Sequence, residues 1–501
     1  MKVLLIAPYI NLNVDKEIER DIFYPSSALL YLASAIRAKN HSPLILDFNN
    51  RLAHAAALKE DHIEYCKKII LKTIKEHKPE LVGLNVLFSG TFPDVLEFAK
   101  EIKKNFPKIK IAMGGIHPTS YYKEILTHCS EIDYVAIGEG ELTLIKLIDC
   151  IENKKIEDLK KIKAFAYRDE TGLVKYNTER EFIEDLDSMP LPAWDLIDFK
   201  NFEMKLDTYY NPKNLSIKNK AAMFSSRACP LACNFCDMFL VMGKKHRKRS
   251  VKKIVDELEI LVKDHGVNYF SFMDDQLTLN RGHTIDLCNE ILKRKLNIQF
   301  DAPNGVWINS LRDDLVGKLA EAGLVMCNLA IEHGNDYIRN KIIGKNLERD
   351  RIFAAAKYLK KYNVLSGGFF IMGFPEDTNE TLQDTYDMML ELKLDKMAVS
   401  TAVPFPGTAL FKQVLKDKLL VNEWSLDELW KTPISYQQGD FIIKPYNMSL
   451  EDLTKWRKKF DKLRYQFWST NPNQNRFKEI HAKSMFFKDK KRVFDKKILT
   501  T

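Results

Sequence analysis

The chain has 501 residues, which is too many for one hydrophobic core and predicts two to four domains. Hydrophobic residues make up 45% and charged residues 29%, a balance typical of soluble globular proteins, and no apolar run is long enough to span a bilayer. Much of the net charge of +9 lies near the C-terminus, where a solvated lysine-rich surface is the simpler explanation, so no nucleic acid partner is expected. The first residues predict a buried strand and not a signal peptide, which favours a cytoplasmic location.

The first 150 residues alternate apolar strands with amphipathic helices. Near-continuous apolar strands separated by such helices predict a parallel sheet covered on both faces. The sequence therefore predicts a doubly wound, Rossmann-like domain over residues 1–150, with a ligand site beyond the carboxyl ends of its strands. The predicted strands are 3–8, 43–48, 81–87, 110–115 and 134–140, and the predicted helices include 27–39, 61–77 and 92–106.

Three loops at the carboxyl ends of these strands contain glycines, which allow close approach of a ligand to the backbone. They are LFSGT at 87–91, GGIHPT at 114–119 and GEGE at 138–141. No GxGxxG follows the first strand, so a dinucleotide is disfavoured. Tight turns alone would also explain the glycines, but three such loops on one edge of one sheet favour a ligand.

After residue 150 the pattern changes. Residues 151–217 predict a hairpin over 165–177 and an extended connector over 184–199. From residue 218 a second series of strands and helices begins, and six such units predict a partial (β/α)6 barrel of the TIM type over 218–415. Residues 416–501 predict a mainly helical, basic region that caps the barrel mouth. The predicted strands lie near 221–225, 268–273, 298–302, 325–331, 365–371 and 396–402, and the predicted helices near 250–264, 281–294, 311–322, 348–361 and 377–391.

Three of the eight cysteines stand together in RACPLACNFCDMF, residues 227–239, directly after the first strand of the second series. They are Cys229, Cys233 and Cys236. Structural zinc needs four ligands, usually in two separated pairs, and His246 in a basic stretch is the one nearby residue that would complete such a site. An iron–sulfur cluster fits better, because three thiolates on a [4Fe–4S] cube leave one iron open to a substrate or cofactor.

The CxxxCxxC spacing, with Phe235 before the last cysteine, resembles the cluster loop of the radical S-adenosylmethionine (radical SAM) superfamily. The resemblance implies that the open iron binds SAM and that reductive cleavage yields a 5′-deoxyadenosyl radical. Further segments resemble the SAM-binding strand ends of this superfamily and imply that role for Phe235, Arg249, Asp274, Asp275, Glu332 and Pro404. His333 stands where the family usually has serine; it is either a packing substitution or a side chain that faces the substrate.

The doubly wound front domain, with its GGIHPT and GEGE loops, resembles the cobalamin-binding branch of the superfamily over residues 1–415. This resemblance implies that the three loops hold cobalamin. The motif DxHxxG, which supplies a histidine to cobalt in many cobalamin proteins, is absent, so the lower axial position is unassigned. The implied cobalamin-binding residues are Leu87, Phe88, Ser89, Gly90, Thr91, Gly114, Gly115, His117, Pro118, Gly138, Glu139 and Gly140.

The resemblance implies cobalamin-dependent C-methylation of an unactivated carbon. The expected partners are a small-molecule, lipid or peptide substrate and an electron donor such as flavodoxin or ferredoxin. One alternative is radical cyclisation or oxidative rearrangement without methyl transfer. Another, from a different class, is a cobalamin- or SAM-binding sensor without catalysis, which would form no 5′-deoxyadenosine.

Overall fold

The first unit of the protein is built on a seven-stranded sheet. The computed structural model describes residues 1–8, 25–49, 61–199, 211–217, 219–421, 430–431 and 441–470. The strand order is β2-β1-β3-β4-β5-β6-β7, with the first five strands parallel. Strands β1 to β7 are Lys2–Ala7, Ser42–Asp47, Leu81–Asn85, Lys110–Gly114, Tyr134–Ala136, Phe165–Arg168 and Val174–Asn177. Helices α1 to α5 are Ser27–Arg37, His62–His77, Phe92–Asn105, Ile116–His128 and Glu141–Glu152.

Apolar clusters cover both faces of this sheet, which confirms the predicted doubly wound fold. Strand β1 lies between β2 and β3, so the connections on its two sides run in opposite directions. Such a reversal opens a crevice at the carboxyl ends of the strands, where open parallel sheets bind ligands. The loop after β3, with residues 87–91, lies at this crevice.

The predicted hairpin is present as β6 and β7, and it pairs antiparallel with β5. Phe165 and Ala166 are buried at the sheet, and Asp169 closes the turn by accepting hydrogen bonds from the backbone N–H groups of Thr171 and Leu173. The hairpin thus covers the free edge of β5. The first sheet therefore continues past residue 150, where the sequence-based division ended the first domain.

The second unit is an open six-stranded parallel sheet in the order β15-β14-β13-β12-β11-β8, which confirms the predicted partial barrel. Apolar residues of its helices face the strands in one large core. Strands β8 to β15 are Asn219–Met223, Ser226–Arg227, Arg247–Lys248, Val267–Phe272, Gln299–Val306, Leu324–Glu332, Leu365–Met372 and Lys396–Thr401. Helices α6 to α13 are Phe239–Met242, Val251–His265, Arg281–Lys293, Asp313–Ala322, Arg349–Lys361, Asn379–Leu392, Ala409–Lys416 and Leu450–Thr470.

Helix α7 illustrates how the sequence sets these elements. Its N-cap Ser250 accepts a hydrogen bond from the N–H of Lys253, and Gly266 ends the helix with a φ of 65°. Between these ends the buried residues Ile254, Leu258 and Leu261 recur at helical spacing and pack into the core.

Helix α13 closes the open edge of the barrel at β15. Arg457 donates a hydrogen bond to the Val399 carbonyl at 2.9 Å, and Arg464 donates to the Met397 carbonyl at 2.8 Å. These bonds satisfy edge carbonyls that would otherwise be open to pairing with another strand. The remainder of the predicted capping region, 422–429, 432–440 and 471–501, lies outside the described residues. Among the helices that the structure describes, none is long and apolar enough to cross a membrane.

Candidate cofactor site

The three cysteines lie on a loop that is closed at its base and anchored on both sides. Strands β9 and β10 pair antiparallel and close the segment 228–246, which contains all three thiols. Within the loop the N–H of Cys236 donates to the Cys233 carbonyl at 3.1 Å. The N–H of Asn234 donates to the Ile343 carbonyl at 3.0 Å, and the Asn234 carbonyl accepts from Leu410 at 2.9 Å. These bonds fix the loop to the segment after β13 and to α12.

The three thiols are half-buried and close enough to affect one another. Burial raises the pKa of the Cys233 thiol to about 11 and raises the pKa values of Cys229 and Cys236 above their ordinary value. In the part of the chain that the structure describes, no three His, Cys, Asp or Glu side chains converge on a single ion. Three thiols and no fourth are the donor set of a [4Fe–4S] cluster with one open iron, and iron binding would deprotonate them.

A buried ion pair lies beside the thiols. Glu332 ends β13 with a φ of 70°, just after a register shift, and its carboxylate contacts the Lys345 ammonium at 2.7 Å. Burial opposes the charge of Lys345, but the Glu332 carboxylate outweighs it and raises the lysine pKa, with Cys233 and Cys229 as further electrostatic neighbours. The sequence pattern indicates Glu332 but not Lys345. The one signal was a lone lysine in the segment IIGKNL, which a solvated surface explains equally well.

Arg339 holds the loop that carries this ion pair. Its side chain is completely buried, and its guanidinium donates to the carbonyls of Leu347 at 2.8 Å, His333 at 2.9 Å and Gly334 at 3.1 Å. The carbonyl of Arg339 in turn accepts from the N–H of Lys345 at 3.0 Å. One arginine therefore fixes both ends of the turn that presents Glu332 and Lys345.

The two aspartates after β11 have different surroundings. Asp274 accepts hydrogen bonds from the N–H and hydroxyl of Ser225 and from the hydroxyl of Ser226, so it holds the base of the cysteine loop. Asp275 has a buried carboxylate oxygen that has no hydrogen-bond partner in the described structure. Burial and the neighbouring Asp274 raise the pKa of Asp275 to about 6, and its charge acts on Cys229 and Cys236. Asp275 is thus the aspartate that is available to a ligand.

The strand-end edge of the first unit presents apolar side chains and open backbone. After β3, Leu87 and Phe88 are 42% and 36% exposed, and Gly90 borders open space. Gly115 turns the chain after β4 with a φ of 117°, and a Cβ there would lie 2.3 Å from the Val86 carbonyl oxygen. An exposed apolar surface beside a tight glycine turn suits a large flat ligand better than a small anion.

His117 faces the interior of the first unit. It is 1% exposed, its Nδ1 lies 3.0 Å from the Ser89 hydroxyl, and its ring packs between Phe92 at 4.4 Å and Tyr121 at 5.0 Å. Burial lowers the pKa of His117 to about 3, so the imidazole is neutral near pH 7. Its position in the core gives no support for a role as axial ligand.

Comparison with known proteins identifies both units. Residues 223–389 match the family model of the radical SAM superfamily, and residues 20–148 match that of the B12-binding domain. The chain belongs to the cobalamin-binding branch of the radical SAM superfamily. The radical SAM domain implies a [4Fe–4S] cluster and SAM, and the B12-binding domain implies cobalamin.

Curated relatives resemble nearly the whole chain. An uncharacterized methyltransferase of Pyrococcus horikoshii is 29% identical over 92% of this chain and 91% of the relative. An anaerobic magnesium-protoporphyrin IX monomethyl ester cyclase of Rubrivivax gelatinosus is 28% identical over 80% of this chain and 68% of the relative. Among solved structures, the radical SAM methyltransferase TsrM of Kitasatospora setae, with cobalamin and a [4Fe–4S] cluster bound, aligns with a TM-score of 0.65 at 18% identity, over 90% of this chain and 83% of TsrM. The similarity to TsrM supports the fold of this chain.

Arg249 lies in a buried ion pair. Its guanidinium forms an ion pair with Glu257 at 2.6 Å and donates to the Phe224 carbonyl at 3.0 Å, next to the Tyr31 hydroxyl. Glu257 neutralises this arginine, and the role of Arg249 at the SAM carboxylate stays a prediction. Pro404 is buried just after β15, and its proximity to SAM stays a prediction.

His333 is fully buried. Its exposure is 0%, its Nδ1 accepts from the N–H of Asn335 at 3.1 Å, and its Nε2 therefore donates to Asp377 at 3.0 Å. The ring lies 6.5 Å from that of Phe374, which in turn lies 6.2 Å from Phe235 of the cysteine loop. Both ring nitrogens thus have partners, which favours packing among the two roles that the sequence leaves open.

The GEGE loop lies in the contact between the two units. Gly138 has a φ of 89°, and a Cβ there would lie 3.2 Å from the carbonyl oxygen of Val241 in α6. The Glu139 carboxylate is bound by Arg227 and Arg247. Both oxygens of this carboxylate thus have partners on the cysteine-loop strands. The roles of the predicted cobalamin-binding residues, Glu139 included, stay predictions.

Proposed function

We propose that this enzyme transfers a methyl group to an unactivated carbon in a cobalamin-dependent radical SAM reaction. The observation that carries the proposal is the contact between its two cofactor-bearing edges. Glu139, at the strand-end edge of the B12-binding domain, is bonded to Arg227, two residues before Cys229. A substrate held between these edges would face both cofactors.

Each cofactor supplies a different part of the chemistry. When bound, the cluster supplies the electron that cleaves SAM to a 5′-deoxyadenosyl radical, and cobalamin supplies a carrier for the methyl group. Two cofactors are needed because an sp³ carbon has no lone pair with which to attack SAM directly. The protein contributes binding, orientation and the exclusion of water.

The charges beside the thiols suit the methionine part of SAM, which carries an ammonium and a carboxylate group. Lys345 offers a cation and Asp275 an unpartnered carboxylate oxygen. We assign Lys345, which lies beside the thiols, to the SAM carboxylate, and Asp275 to the ammonium group. Glu332 would bind the ribose hydroxyls with the part of its carboxylate that Lys345 leaves free. Cys229, Cys233 and Cys236 hold the cluster.

An apolar layer restricts access of water to the cluster loop. Cys233 and Phe235 pack against a buried group that includes Ile338, Ile343 and Phe374. A hydrophobic shell around a metal site limits solvent access and keeps the local dielectric constant low. Such shielding would protect a reactive radical from quenching during hydrogen abstraction.

Radical cyclisation or rearrangement without methyl transfer is the second candidate. The Rubrivivax relative, named as a cyclase, is almost as similar to this chain as the Pyrococcus methyltransferase. Product mass separates the two reactions, because methylation adds one methylene and cyclisation removes hydrogen. The expected electron donor in either case is a flavodoxin or ferredoxin, and the expected location is the cytoplasm, where thiols stay reduced.

Anaerobic reconstitution tests the proposal. The holoprotein, with SAM and dithionite, should form 5′-deoxyadenosine, and its optical spectrum should show both cluster and cobalamin. A sensor would bind the cofactors and form no 5′-deoxyadenosine. A colourless, iron-free protein after reconstitution would contradict the proposal outright.

A further inference from the structure

Two buried glutamates of the first unit bind the two arginines that close the cysteine loop. Glu139 and Glu141 lie in the GEGE segment, and Arg227 and Arg247 are register partners in β9 and β10. We infer that these four residues, here called the carboxylate clamp, position the cluster relative to the cobalamin edge. The inference rests on the proposed function for the presence of both cofactors.

Glu139 accepts hydrogen bonds from both arginines. Arg247 donates to it in a bidentate manner, at 2.8 Å to Oε1 and 2.9 Å to Oε2. Arg227 donates to Oε1 at 3.2 Å, and the N–H of Ile183 donates to Oε2 at 3.1 Å. Paired N–H bonds to one carboxylate fix its plane as well as its distance. Glu139 therefore sets the orientation of the loop base.

Glu141 is the first residue of α5, where the helix N-terminus favours a negative charge. Its Oε1 accepts from Arg227 at 2.7 Å. Burial acts to raise the pKa of Glu141, but the Arg227 guanidinium outweighs burial and lowers it. The carboxylate is thus ionised near pH 7, and Arg227 bridges the two glutamates.

Aromatic rings also contact the guanidinium groups of both arginines. The Arg227 guanidinium lies 5.1 Å from the ring centre of Tyr31, and that of Arg247 lies 5.2 Å from the ring centre of Phe182. Arg247 also donates to the carbonyls of Ile183 and Met242. Each arginine is therefore held in direction, and not only in distance.

The composition of the clamp favours positioning over simple adhesion. All four side chains are almost fully buried, so each charge has lost most of its water. Buried ion pairs add little net stability compared with apolar residues of the same volume, whereas their geometry is strict. The clamp acts two residues from Cys229, where a shift of the loop base would move the cluster. Misplacement of about 1 Å can cost roughly a hundredfold in rate when two reacting groups must meet.

The test compares Glu139→Gln with a matched control, Asp133→Asn. Asp133 has the same kinds of partner, two cations in Lys103 and Lys110 and the N–H of Ile111, but lies within the first unit. The readout is the magnetic interaction between the reduced cluster and cob(II)alamin in the holoprotein, measured by pulsed electron paramagnetic resonance. We expect the distribution of cluster–cobalt distances to broaden about twofold in Glu139→Gln, because the bidentate pairing is lost, and to stay unchanged in the control.

Formation of 5′-deoxyadenosine, which needs only the cluster and SAM, should stay within about twofold of wild type in Glu139→Gln, since the thiols are untouched. Arg247→Lys keeps the positive charge but loses the planar guanidinium that binds both oxygens of Glu139. It should broaden the distribution of cluster–cobalt distances to an intermediate degree. An unchanged distribution in a fully loaded Glu139→Gln protein would overturn the inference and leave the proposed function intact. A wild-type protein without cluster or cobalamin would instead refute the proposed function. If Glu139→Gln, Glu141→Gln and Arg247→Lys all fail to fold, the clamp is a folding requirement and the positioning role is rejected.

Discussion

The edges of the two units that carry the candidate cofactor sites differ in polarity. At the barrel edge, buried charges on Asp275, Glu332 and Lys345 surround three thiols. At the edge of the B12-binding domain, exposed Leu87 and Phe88 flank open glycine backbone. The amino and carboxylate groups of SAM need fixed charges in a dry site, whereas a macrocycle needs apolar contact area and room.

The two carboxylates of the GEGE segment bind arginines of the second unit. Glu139 and Glu141 contact the arginines of the cysteine loop, so the acidic part of GEGE serves the contact between the units. The glycines of that segment let the two backbones approach closely. The comparison of the two edges therefore separates residues that bind a cofactor from residues that place one cofactor against the other.

Loss of a cluster thiol should have the largest effect, and only at the barrel edge. Cys236→Ser should abolish iron incorporation and reduce 5′-deoxyadenosine to background, because two thiolates cannot hold the cube. Iron content and product quantification check this, with Cys66→Ala, a buried cysteine of α2, as the control that keeps both. Cobalamin binding should survive in Cys236→Ser. Loss of both cofactors together would contradict the separation of the two edges.

Removal of Lys345 should weaken both stability and SAM binding. Lys345→Met leaves the Glu332 carboxylate buried without its cation, and such a loss costs about 3 to 5 kcal/mol of unfolding free energy. Denaturant titration measures the stability and calorimetry measures SAM binding. Adding Glu332→Gln should recover most of the stability but not the affinity for SAM. Undiminished SAM affinity in Lys345→Met would show that the cation serves the fold alone.

An acidic substitution at the apolar edge should affect cobalamin and spare SAM. Leu87→Asp removes contact area worth about 1.5 to 3 kcal/mol, which corresponds to a loss of roughly ten- to a hundredfold in cobalamin affinity. The matched control is Leu173→Asp, because Leu173 is 60% exposed on the hairpin turn. Cobalamin titration followed by optical absorbance measures both variants. Equal affinities in the two would remove Leu87 from the cradle.

The smallest effect concerns His117, which belongs to the core beside the edge. Its pKa is lowered to about 3 by burial, below the value near 6.5 of an unfolded histidine. The unfolded chain therefore takes up the proton first, and stability falls as the pH drops from 6.5 towards 3. At pH 5.5 protonation of His117 in the unfolded chain should lower the free energy of unfolding by about 1.4 kcal/mol relative to high pH. His117→Phe should lose that part of the pH dependence in denaturant titrations. An identical slope in both proteins would contradict the buried position.

Local patterns in the sequence were sufficient to predict both sheets. Apolar runs of strand length alternate with helices whose apolar residues recur every three or four positions, and such periodicity depends on near neighbours alone. The cluster ligands could be predicted equally well, because all three cysteines lie within eight residues. The pairing of the hairpin with β5 could not be predicted, because the local sequence does not determine which sheet edge a hairpin will join.

The details that the sequence did not reveal all depend on distant partners. Lys345 acquires its meaning from Glu332, thirteen residues away across a turn held by Arg339. Arg249 and Glu139 look available in the sequence, but Glu257 and the two loop arginines occupy them. The sequence leaves two roles open for His333, whereas the structure shows that Asp377 and Asn335 satisfy its ring nitrogens. Pairing over such distances is a property of the tertiary structure.

The most direct test of the account is to quantify 5′-deoxyadenosine and S-adenosylhomocysteine together in the reconstituted holoprotein supplied with SAM and dithionite. The account predicts both products. 5′-Deoxyadenosine should depend on Cys229, Cys233 and Cys236, and S-adenosylhomocysteine should depend on bound cobalamin. A protein with full iron and cobalamin that forms neither product would contradict the account.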